Sequence, residues 1–348
     1  MDTLTHALSG ALLARATAGR EKPALPLGRR VAVGALVAAF PDLDIVATWL
    51  SPLAYLYHHR GVTHSLVMLP LWTVLLAWLC AWIWRGGPRW RAYAPVVALS
   101  LVAHIAGDWI TSFGTMLFAP LSDYRHGLGT TFIIDLWFSG IIVAGLLLSL
   151  AWRRSRVPAV AGLAVLAGYV AFQYVLLQQA VDFGERHARA AGIIEARVTA
   201  MPRPVSPFNW MVVIENADGY RYSHINLVRK SVQTAGADAG FITRLDAVYR
   251  PLDQAVWDAD PRFGNGGERA AVRAVFEHPQ FEFFRWFAAY PALHRIDAGP
   301  ADLCVWFKDL RFLTPGRDVL PFIYGMCGEG AGLLRPFRLD GNVRFPVY

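Results

Sequence analysis

The sequence predicts an α-helical polytopic membrane domain of about six hydrophobic helices over residues 1–181, followed by a soluble α+β domain over residues 182–348. Three observations lead to this prediction. The chain is 55% hydrophobic with a positive mean hydropathy. Several apolar runs in its first half reach the roughly 20 residues that cross a bilayer core. After residue 182 the hydropathy falls and short alternating stretches take over.

Six stretches of the first half are candidate membrane helices. They cover residues 2–18, 31–50, 66–84, 93–112, 132–152 and 157–181. Residues 66–84 and 157–181 contain no charged side chain, which makes them the clearest spans. Residues 31–50 are interrupted by Pro41, which cannot continue a helical hydrogen-bond ladder. Residues 2–18 are short and amphipathic, and they begin with Asp2 instead of the basic start of a cleaved signal peptide.

The distribution of basic residues among the loops predicts the orientation. Ten basic residues lie in segments 20–30, 85–91 and 153–156, whereas the alternate loops hold only Arg60 and Arg125. By the positive-inside rule the basic loops are cytoplasmic, so the domain after residue 182 faces outward. This asymmetry largely explains the net charge of +7. No basic stripe with interleaved aromatic residues indicates a nucleic-acid partner.

The second half has the pattern of a soluble α+β domain. Alternating stretches predict strands at residues 210–215, 220–227, 303–307 and 322–326. A turn is predicted at Asp218 and Gly219, and residues 267–290 predict one or two amphipathic helices. Cys304 and Cys327 fall on strands predicted to be neighbours in an oxidising space. They are therefore either joined in a disulfide or present as two free thiols.

The membrane domain contains histidines and aspartates that a lipid-facing span would exclude. Ionisable groups within or beside apolar spans are costly and usually mark a functional site. A mixture of imidazole and carboxylate groups is what divalent metals bind. The candidate metal ligands are His6, Asp42, Asp44, His59, His64, His104 and Asp108.

The spacing of two pairs makes them competent to bind a metal. Asp2 and His6 are four residues apart, as are His104 and Asp108. Residues with this spacing project from one face of a helix. Each pair is therefore expected to hold one ion or two adjacent ions.

The other candidate ligands lie at breaks in the apolar pattern. Pro41 is expected to interrupt its span and to let Asp42 and Asp44 point into one cavity. Thr63 is the predicted N-cap of the next helix, which would place His64 in the first turn of that helix.

Several of these residues also have a purely structural interpretation. Asp2 alone favours a helix start, and a single His6 is compatible with a satisfied interior histidine. Asp42 and Asp44 are also compatible with a helix end at the membrane interface. Asp135, in another span, is expected to pair with an arginine or to orient a ligand histidine.

Four short motifs resemble those of a known family. They are MDTLTH at residues 1–6, FPDLD at 40–44, HRGVTHS at 59–65 and HIAGD at 104–108. In this order they are similar to the hallmarks of the YdjM/YfhP-type inner-membrane, metal-dependent hydrolases. The resemblance is strongest over residues 1–140. It implies a hydrolase of the bacterial cytoplasmic (inner) membrane with a divalent metal cofactor, most simply one or two Zn²⁺ ions.

The order of the ligands is also similar to that of zinc-dependent phospholipase C and the P1-type nucleases. This similarity implies a first zinc ion, held by Asp42 or Asp44, His64, His104 and Asp108. It implies a second ion held in part by His6 and Asp108. The further His-x-x-x-His-x-x-x-Glu ligand set of those enzymes has no counterpart in this sequence.

Together these features predict a metal-dependent hydrolase. A bound divalent ion lowers the pKa of a water to about 7 and polarises a phosphoryl or carbonyl oxygen. One carboxylate of Asp42 and Asp44 would ligate the metal, and the other would take the proton of the water. Arg60 would stabilise developing negative charge, so Asp44 and Arg60 are the predicted catalytic residues. A ligand set at the rim of a bilayer suggests a lipid or lipid-linked phosphoester as substrate, with membrane lipid as a partner.

Two other classes of protein fit the same residues. An ion or metal transporter would place histidines and aspartates along a path across the membrane, whereas these ligands collect towards one face. A non-catalytic receptor or scaffold would use a closed structural metal site to tie its helices together. The sequence does not determine the metal, the substrate or the oligomeric state.

Overall fold

The computed structural model describes residues 1–19, 24–49, 51–85, 87–236, 238–299, 303–315, 320–328 and 334–347. The chain divides into two compact units. The first unit comprises Met1–Ala47 and Tyr57–Val175, and the second comprises Thr48–Leu56 and Leu176–Tyr348. Arg20 and Lys22, which contribute to a predicted basic loop, lie outside the described residues.

Seven α-helices precede the first strand in the described part of the chain. They are α1 (Thr3–Ala16), α2 (Leu27–Ala39), α3 (Pro52–His58), α4 (Leu69–Ile83), α5 (Trp90–Trp109), α6 (Leu136–Ala151) and α7 (Val157–Ala190). Helix α1 packs against α2, α5 and α6, and α5 also packs against α2 and α4. A buried apolar cluster in this bundle includes Val33, Val37, Val96 and Leu101.

The predicted helical N-terminal region is confirmed, but the described residues do not support the predicted count of six spans. Three described helical segments are long and apolar enough to cross a membrane: Leu27–Trp49, Trp90–Trp109 and Val157–Ala190. Leu53–His64 and Leu69–Ile83, bent by 81°, make a fourth if the pair is one span. Helix α1 has 14 residues and α6 has 16. They are about 21 and 24 Å long, which is short of a bilayer core of about 30 Å.

A capping aspartate sets the residue at which each of these two helices begins. The side chain of Asp2 accepts a hydrogen bond from the N–H of Thr5 at 3.0 Å and so begins α1. Asp135 begins α6 by accepting from the N–H groups of Trp137 and Phe138, both at 2.9 Å. Each cap satisfies backbone donors that the helix start leaves unpaired. The structural interpretation of Asp2 is therefore confirmed.

Helix α2 ends where the sequence places proline. It stops at Ala39, and the chain continues as a 3-10 helix over Phe40–Trp49. Pro41 has no N–H to donate, so it cannot extend the α-helical ladder. The predicted interruption is confirmed, and it falls directly before Asp42.

Helices α1 and α2 approach each other closely through glycine. A Cβ atom at Gly34 would lie 2.6 Å from the Cβ of Ala14 and 2.6 Å from the carbonyl oxygen of Gly10. Both distances are shorter than van der Waals contact, so a larger residue would push the helices apart. Small residues permit such close backbone packing between membrane helices. The contact brings α1 beside the segment that carries Asp42.

The second unit contains two antiparallel sheets among its described residues. The first has the strand order β1-β2-β3-β4, with β1 (Arg197–Pro202), β2 (Asn209–Glu215), β3 (Gly219–Asn226) and β4 (Asp258–Pro261). The end of α7 belongs to this unit. Its Leu176 and Ala180 share a buried apolar cluster with Trp210 and Val212 of β2.

The second sheet follows along the chain. Its order is β5-β6-β7-β8-β9, with β5 (Pro291–Ala298), β6 (Leu303–Asp309), β7 (Ile323–Gly328), β8 (Arg335–Asp340) and β9 (Val343–Pro346). Among the described residues of this unit, three short α-helices lie between strands: α8 (Phe241–Ala247), α9 (Arg269–Phe276) and α10 (Glu282–Phe287). The four predicted strands and the helices predicted within residues 267–290 are confirmed.

The two cysteines of the second sheet are bonded. Cys304 on β6 and Cys327 on β7 are direct partners in the strand register, and they form a disulfide. Of the two alternatives that the sequence left open, the structure contains the bridge. Cys80, in the first unit, is a buried free cysteine.

Candidate metal centre

Four side chains from three segments of the first unit converge on one point. His6 on α1, Asp42 in the 3-10 helix after α2, and His104 and Asp108 on α5 each offer one ligand atom. These four atoms all lie within 4.8 Å of one another. The side chains of His6, His104 and Asp108 are at most 1% exposed, whereas that of Asp42 is 12% exposed. The cluster is therefore buried, with Asp42 as its partly exposed member.

Several polar atoms at this point are buried without a hydrogen bond among the described residues. They are Nδ1 of His6, Oδ2 of Asp42, Nε2 of His64, Nε2 of His104 and Oδ2 of Asp108. Each buried polar atom left unpaired costs about 1–3 kcal/mol. Imidazole nitrogens and carboxylate oxygens are also the donors that divalent metals prefer. A divalent ion bound by these atoms would remove that cost, so the residues fit such an ion.

The backbone of α2 sets the orientation of His104. Its Nδ1–H donates to the carbonyl oxygen of Ala38 at 2.6 Å. Because a carbonyl only accepts, the proton lies on Nδ1 and the lone pair is left on Nε2. That Nε2 lies 3.5 Å from Oδ2 of Asp108 and 3.7 Å from Oδ1 of Asp42. Metal-binding histidines usually have such a second contact, which fixes the ring.

A glycine beside Asp108 lets α1 approach α5. A Cβ atom at Gly107 would lie 3.1 Å from Cε1 of His6 and 3.3 Å from its Nδ1. With glycine there, the rings of His6 and His104 stack with centroids 3.7 Å apart. Nε2 of His6 lies 3.1 Å from Oδ1 of Asp108. Gly107 was not among the residues predicted for the site, and its position next to Asp108 in HIAGD was the available signal.

His64 is a fifth candidate ligand. It is fully buried, and its Nε2 lies 3.1 Å from Oδ2 of Asp108 and 3.7 Å from Oδ1 of Asp42. It belongs to the 3-10 turn Val62–His64, and the next helix begins only after that turn. The prediction that Thr63 caps this helix is therefore wrong. The hydroxyl of Thr63 lies 2.9 Å from Nδ1 of His64 and helps to orient the ring.

Asp44 lies beside the cluster and organises the loop that carries two histidines. Its Oδ1 accepts from Nδ1 of His59 at 2.9 Å, and its Oδ2 accepts from the N–H of Arg60 at 2.9 Å. The same Oδ2 is 3.5 Å from Nδ1 of His64. The structure thus brings the predicted ligands Asp44 and His59 next to the four converging side chains but outside their set.

Arg60 compensates the buried charge of Asp108. The Arg60 side chain is 2% exposed, and its Nη2 lies 3.0 Å from Oδ1 of Asp108. Its Nη1 donates to Oγ1 of Thr111 at 2.8 Å, and its guanidinium lies 4.8 Å from the centre of the Phe113 ring. Asp108 also contacts the α-amino group of Met1. A buried carboxylate requires such partners, and the contact with Thr111 was not foreseeable from sequence spacing.

Asp135 takes neither of its predicted roles. Besides capping α6, its carboxylate accepts from the hydroxyl of Tyr169 at 3.0 Å and from Nε2 of Gln173 at 2.9 Å. Both partners lie on α7, four residues apart and therefore on one face. The expected contact with an arginine or a ligand histidine is wrong. Asp135 ties α6 to α7 instead.

Comparison with known proteins agrees with the motifs and the helical region. The model of the family described as YdjM inner membrane protein matches residues 1–180. The chain belongs to this family. The match includes all the candidate ligands and confirms the family resemblance seen in the four motifs. This member of the YdjM family thus combines apolar helices in its N-terminal region with a cluster of histidines and aspartates that can hold a metal ion.

A relative of the chain is the uncharacterized protein YfhP of Bacillus subtilis (strain 168). It is 23% identical over 195 residues, which is 51% of this chain and 54% of YfhP. The chain therefore spans about half the length of this curated relative. No solved structure matches the chain significantly. The expected similarity to zinc-dependent phospholipase C and the P1-type nucleases is not shown by these comparisons.

Proposed function

We propose that this member of the YdjM family is a membrane-bound hydrolase that uses a divalent metal to cleave a lipid or lipid-linked phosphoester at the outer face of the membrane. The observation that carries the proposal is the convergence of His6, Asp42, His104 and Asp108 within 4.8 Å. A structural metal site is closed by its ligands, whereas a catalytic site keeps a position open. The partial exposure of Asp42 favours the open type.

The residues around the cluster have the chemistry that hydrolysis needs. When bound, a divalent ion such as Zn²⁺ supplies a Lewis acid that polarises a phosphoryl oxygen and activates water. The four converging side chains would hold it, with His64 beside them. Asp44 holds the ring of His59, whose side chain is 17% exposed. This pair can accept a proton from water and return it to the leaving group. Asp44 would in this way keep its predicted catalytic role.

Arg60 supports the site through the residues that it holds. Its guanidinium offsets the charge of Asp108, and its backbone N–H positions Asp44. We propose this positioning as its main contribution. The stabilisation of negative charge on the substrate, which the sequence suggested for Arg60, stays a prediction.

The direction of the helices supports an outward-facing centre. Helix α2 begins beside Arg29 and Arg30 and leads to Asp42. Helix α5 begins within the basic segment 85–91 and ends with Asp108 in its last turn. In both cases the basic residues are at one end of the helix and the candidate ligand is at the other. Since basic ends are cytoplasmic by the positive-inside rule, the ligands belong at the outer face.

Helix α7 and the disulfide support an extracytoplasmic second unit. The helix starts at Val157, directly after the basic segment 153–156. Its 34 residues make it about 51 Å long, which exceeds a bilayer core of about 30 Å. If α6 returns the chain to the cytoplasmic side, as the basic segment 153–156 indicates, then α7 starts there and is long enough to end outside. The disulfide between Cys304 and Cys327 agrees with an oxidising compartment.

Exposed apolar side chains near the partly exposed ligand favour a lipid substrate. Leu43, the neighbour of Asp42, is 58% exposed, and Leu4 on α1 is 68% exposed. In a membrane protein such side chains contact acyl chains. A lipid whose acyl chains lie against Leu4 and Leu43 would have its phosphoester close to Asp42. A soluble substrate has no acyl chains to make these contacts.

The proposal is tested by hydrolysis assays on full-length protein purified in detergent. The substrates are bis(p-nitrophenyl) phosphate and phosphatidylglycerol in mixed micelles. We expect turnover that a chelator abolishes and that Zn²⁺ or another divalent ion restores. Asp42→Ala should lose this activity. His126→Ala is the control, because His126 contacts Phe118 and Tyr124 and none of the four converging side chains.

Two results would contradict the proposal. Stoichiometric metal without hydrolysis of either substrate would favour a structural metal site in a receptor or scaffold. Turnover that is insensitive to chelation would show that the activity does not depend on this centre.

A further inference from the structure

The second unit has a polar cleft beside strand β3. Its volume is about 340 Å³, near the lower end of the range of about 300–1,000 Å³ for small-molecule sites. Its polar lining comes from Tyr222, His224, Arg250 and Asp258, and Leu313 is part of its apolar lining. The cleft uses no residue of the candidate metal centre.

His224, one of the residues that line this cleft, has a ring nitrogen without a hydrogen-bond partner among the described residues. Its Nε2 is buried and makes no hydrogen bond within the described residues. Burial and the nearby positive charge of Arg203 lower the pKa of His224 to about 3, so the ring is neutral at physiological pH. The ring centres of Tyr222 and Tyr249 each lie 6.0 Å from the ring centre of His224. An unpaired polar atom in such a position costs free energy unless a ligand pairs with it.

Arg250 and Asp258 bring opposite charges to the same cleft. Neither forms an ion pair with another described residue, whereas the nearby Asp260 is paired with Lys308 at 2.8 Å. Asp258 is the register partner of Tyr222 in β3, and Arg250 bridges to Ile225, which is three residues further along the strand. At about 3.3 Å per residue, these positions are about 10 Å apart along β3.

We propose that this cleft binds a small zwitterion, a molecule with an ammonium group and a carboxylate or phosphate group a few atoms apart. The ammonium group would pair with Asp258. The anionic group would pair with the guanidinium of Arg250, which can bind two oxygens at once. Nε2 of His224 would hydrogen-bond the ligand between these two contacts. A simple anion or a simple cation would leave one of the two charges unused.

The test is isothermal titration calorimetry on the full-length protein in detergent. The zwitterionic probes are L-alanyl-L-alanine, which ends in a carboxylate, and O-phosphoethanolamine, which ends in a phosphate. Inorganic phosphate, propionate and ethylammonium are the probes with a single kind of charge. We expect at least one zwitterion to bind at least tenfold more tightly than any of these three. The zwitterion that binds identifies the anionic group. Absence of binding by both zwitterions would overturn the proposal.

Matched variants connect the binding to the cleft. Arg250→Gln and Asp258→Asn should each weaken binding of the zwitterion at least tenfold. Arg244→Gln, at an exposed position of α8, removes the same charge elsewhere and should leave the affinity unchanged. Circular dichroism and the intact disulfide between Cys304 and Cys327 report whether the variants are folded. Unchanged affinity in folded Arg250→Gln and Asp258→Asn would also overturn the proposal.

Discussion

The Nδ1–H of His104 on α5 donates to the carbonyl oxygen of Ala38 at the end of α2, with 2.6 Å between the two heavy atoms. A candidate ligand on one helix is thus oriented by the backbone of another. The next residues along that second segment lead to Asp42, a candidate ligand itself. The geometry of the centre therefore depends on how the helices pack as well as on which ligands are present.

Gly34→Ala should weaken both the fold and the centre. The added Cβ would lie 2.6 Å from the Cβ of Ala14 and from the carbonyl oxygen of Gly10. Forcing an extra methyl group into such a contact costs about 1–3 kcal/mol. We expect a lower melting temperature and weaker metal binding, because α1 would be displaced from α2.

Gly168→Ala is the matched control for this substitution. A Cβ atom at Gly168 on α7 would meet nothing within 4 Å. Since alanine favours a helix over glycine by up to about 1 kcal/mol, this variant should be unchanged or slightly stabilised. A Gly34→Ala protein that melts like Gly168→Ala and keeps its metal would show that the close packing of α1 and α2 is not required.

Asp44→Asn should show whether Asp44 orients the metal ligands or binds the metal itself. Asp44 holds His59 and the loop of Arg60, each through a contact of 2.9 Å, and does not belong to the four converging side chains. Loss of a group that orients ligands typically costs 10–100-fold in metal affinity. We expect Asp44→Asn to bind metal with an affinity lowered by about that factor but to reach full stoichiometry at high metal concentration. Failure to bind at any concentration would indicate that Asp44 is a direct ligand.

The parts of the centre that lie on helices were predictable from the sequence. His104 and Asp108 share a helix face because of their spacing, and Pro41 ends α2 wherever the segment packs. Helical spacing and the position of proline therefore located three of the candidate ligands, namely His104, Asp108 and Asp42. They could not locate the contact of Ala38 with His104, because that contact exists only once two helices pack.

The loop that carries His59 and His64 was harder to predict. Arg60 has a φ angle of 59°, a conformation that few residues other than glycine adopt. Its backbone N–H donates to Asp44, and its carbonyl oxygen accepts from the N–H of Met116 at 3.0 Å. Distant contacts thus shape this loop. Hydropathy also predicted more spans than the described helices support, because it does not register where a capping aspartate such as Asp135 begins a helix.

Reporter fusions should show opposite sides of the membrane for two positions. A reporter after residue 182 is expected to be extracytoplasmic, and one in segment 85–91 is expected to be cytoplasmic, because ten basic residues lie in segments 20–30, 85–91 and 153–156 and only two in the alternate loops. Mass spectrometry of non-reduced peptides should find Cys304 joined to Cys327. A cytoplasmic reporter after residue 182 would move the candidate metal centre to the inner face and remove the argument for an outer-face substrate.

Acid should destabilise the second unit through His224. Burial and the charge of Arg203 lower the pKa of His224 from 6.5 to about 3. Between pH 6.5 and about 3 the unfolded state therefore binds a proton that the folded state does not. The free energy of unfolding should fall by up to about 1.4 kcal/mol per pH unit as the pH is lowered through this window. Above pH 6.5 the ring is neutral in both states, so His224 should not contribute to the pH dependence of the free energy of unfolding.

His224→Asn provides the comparison. Asparagine does not titrate, so the melting temperature of this variant should decrease less between pH 7 and pH 4 than that of the wild-type protein. Other ionisable groups are common to both proteins and cancel in the difference. Parallel pH profiles would show that folding does not lower the pKa of His224.

The metal content of purified full-length protein, measured by inductively coupled plasma mass spectrometry, tests the candidate centre most directly. The wild-type protein should bind one or two equivalents of a divalent ion. His104→Ala and Asp108→Ala should lose the metal, because removal of a direct ligand lowers metal affinity by more than the 10–100-fold typical of an orienting group. Both variants should remain in the membrane fraction. His126→Ala should keep the metal. If both ligand variants retained stoichiometric metal, the assignment of these residues as ligands would be wrong.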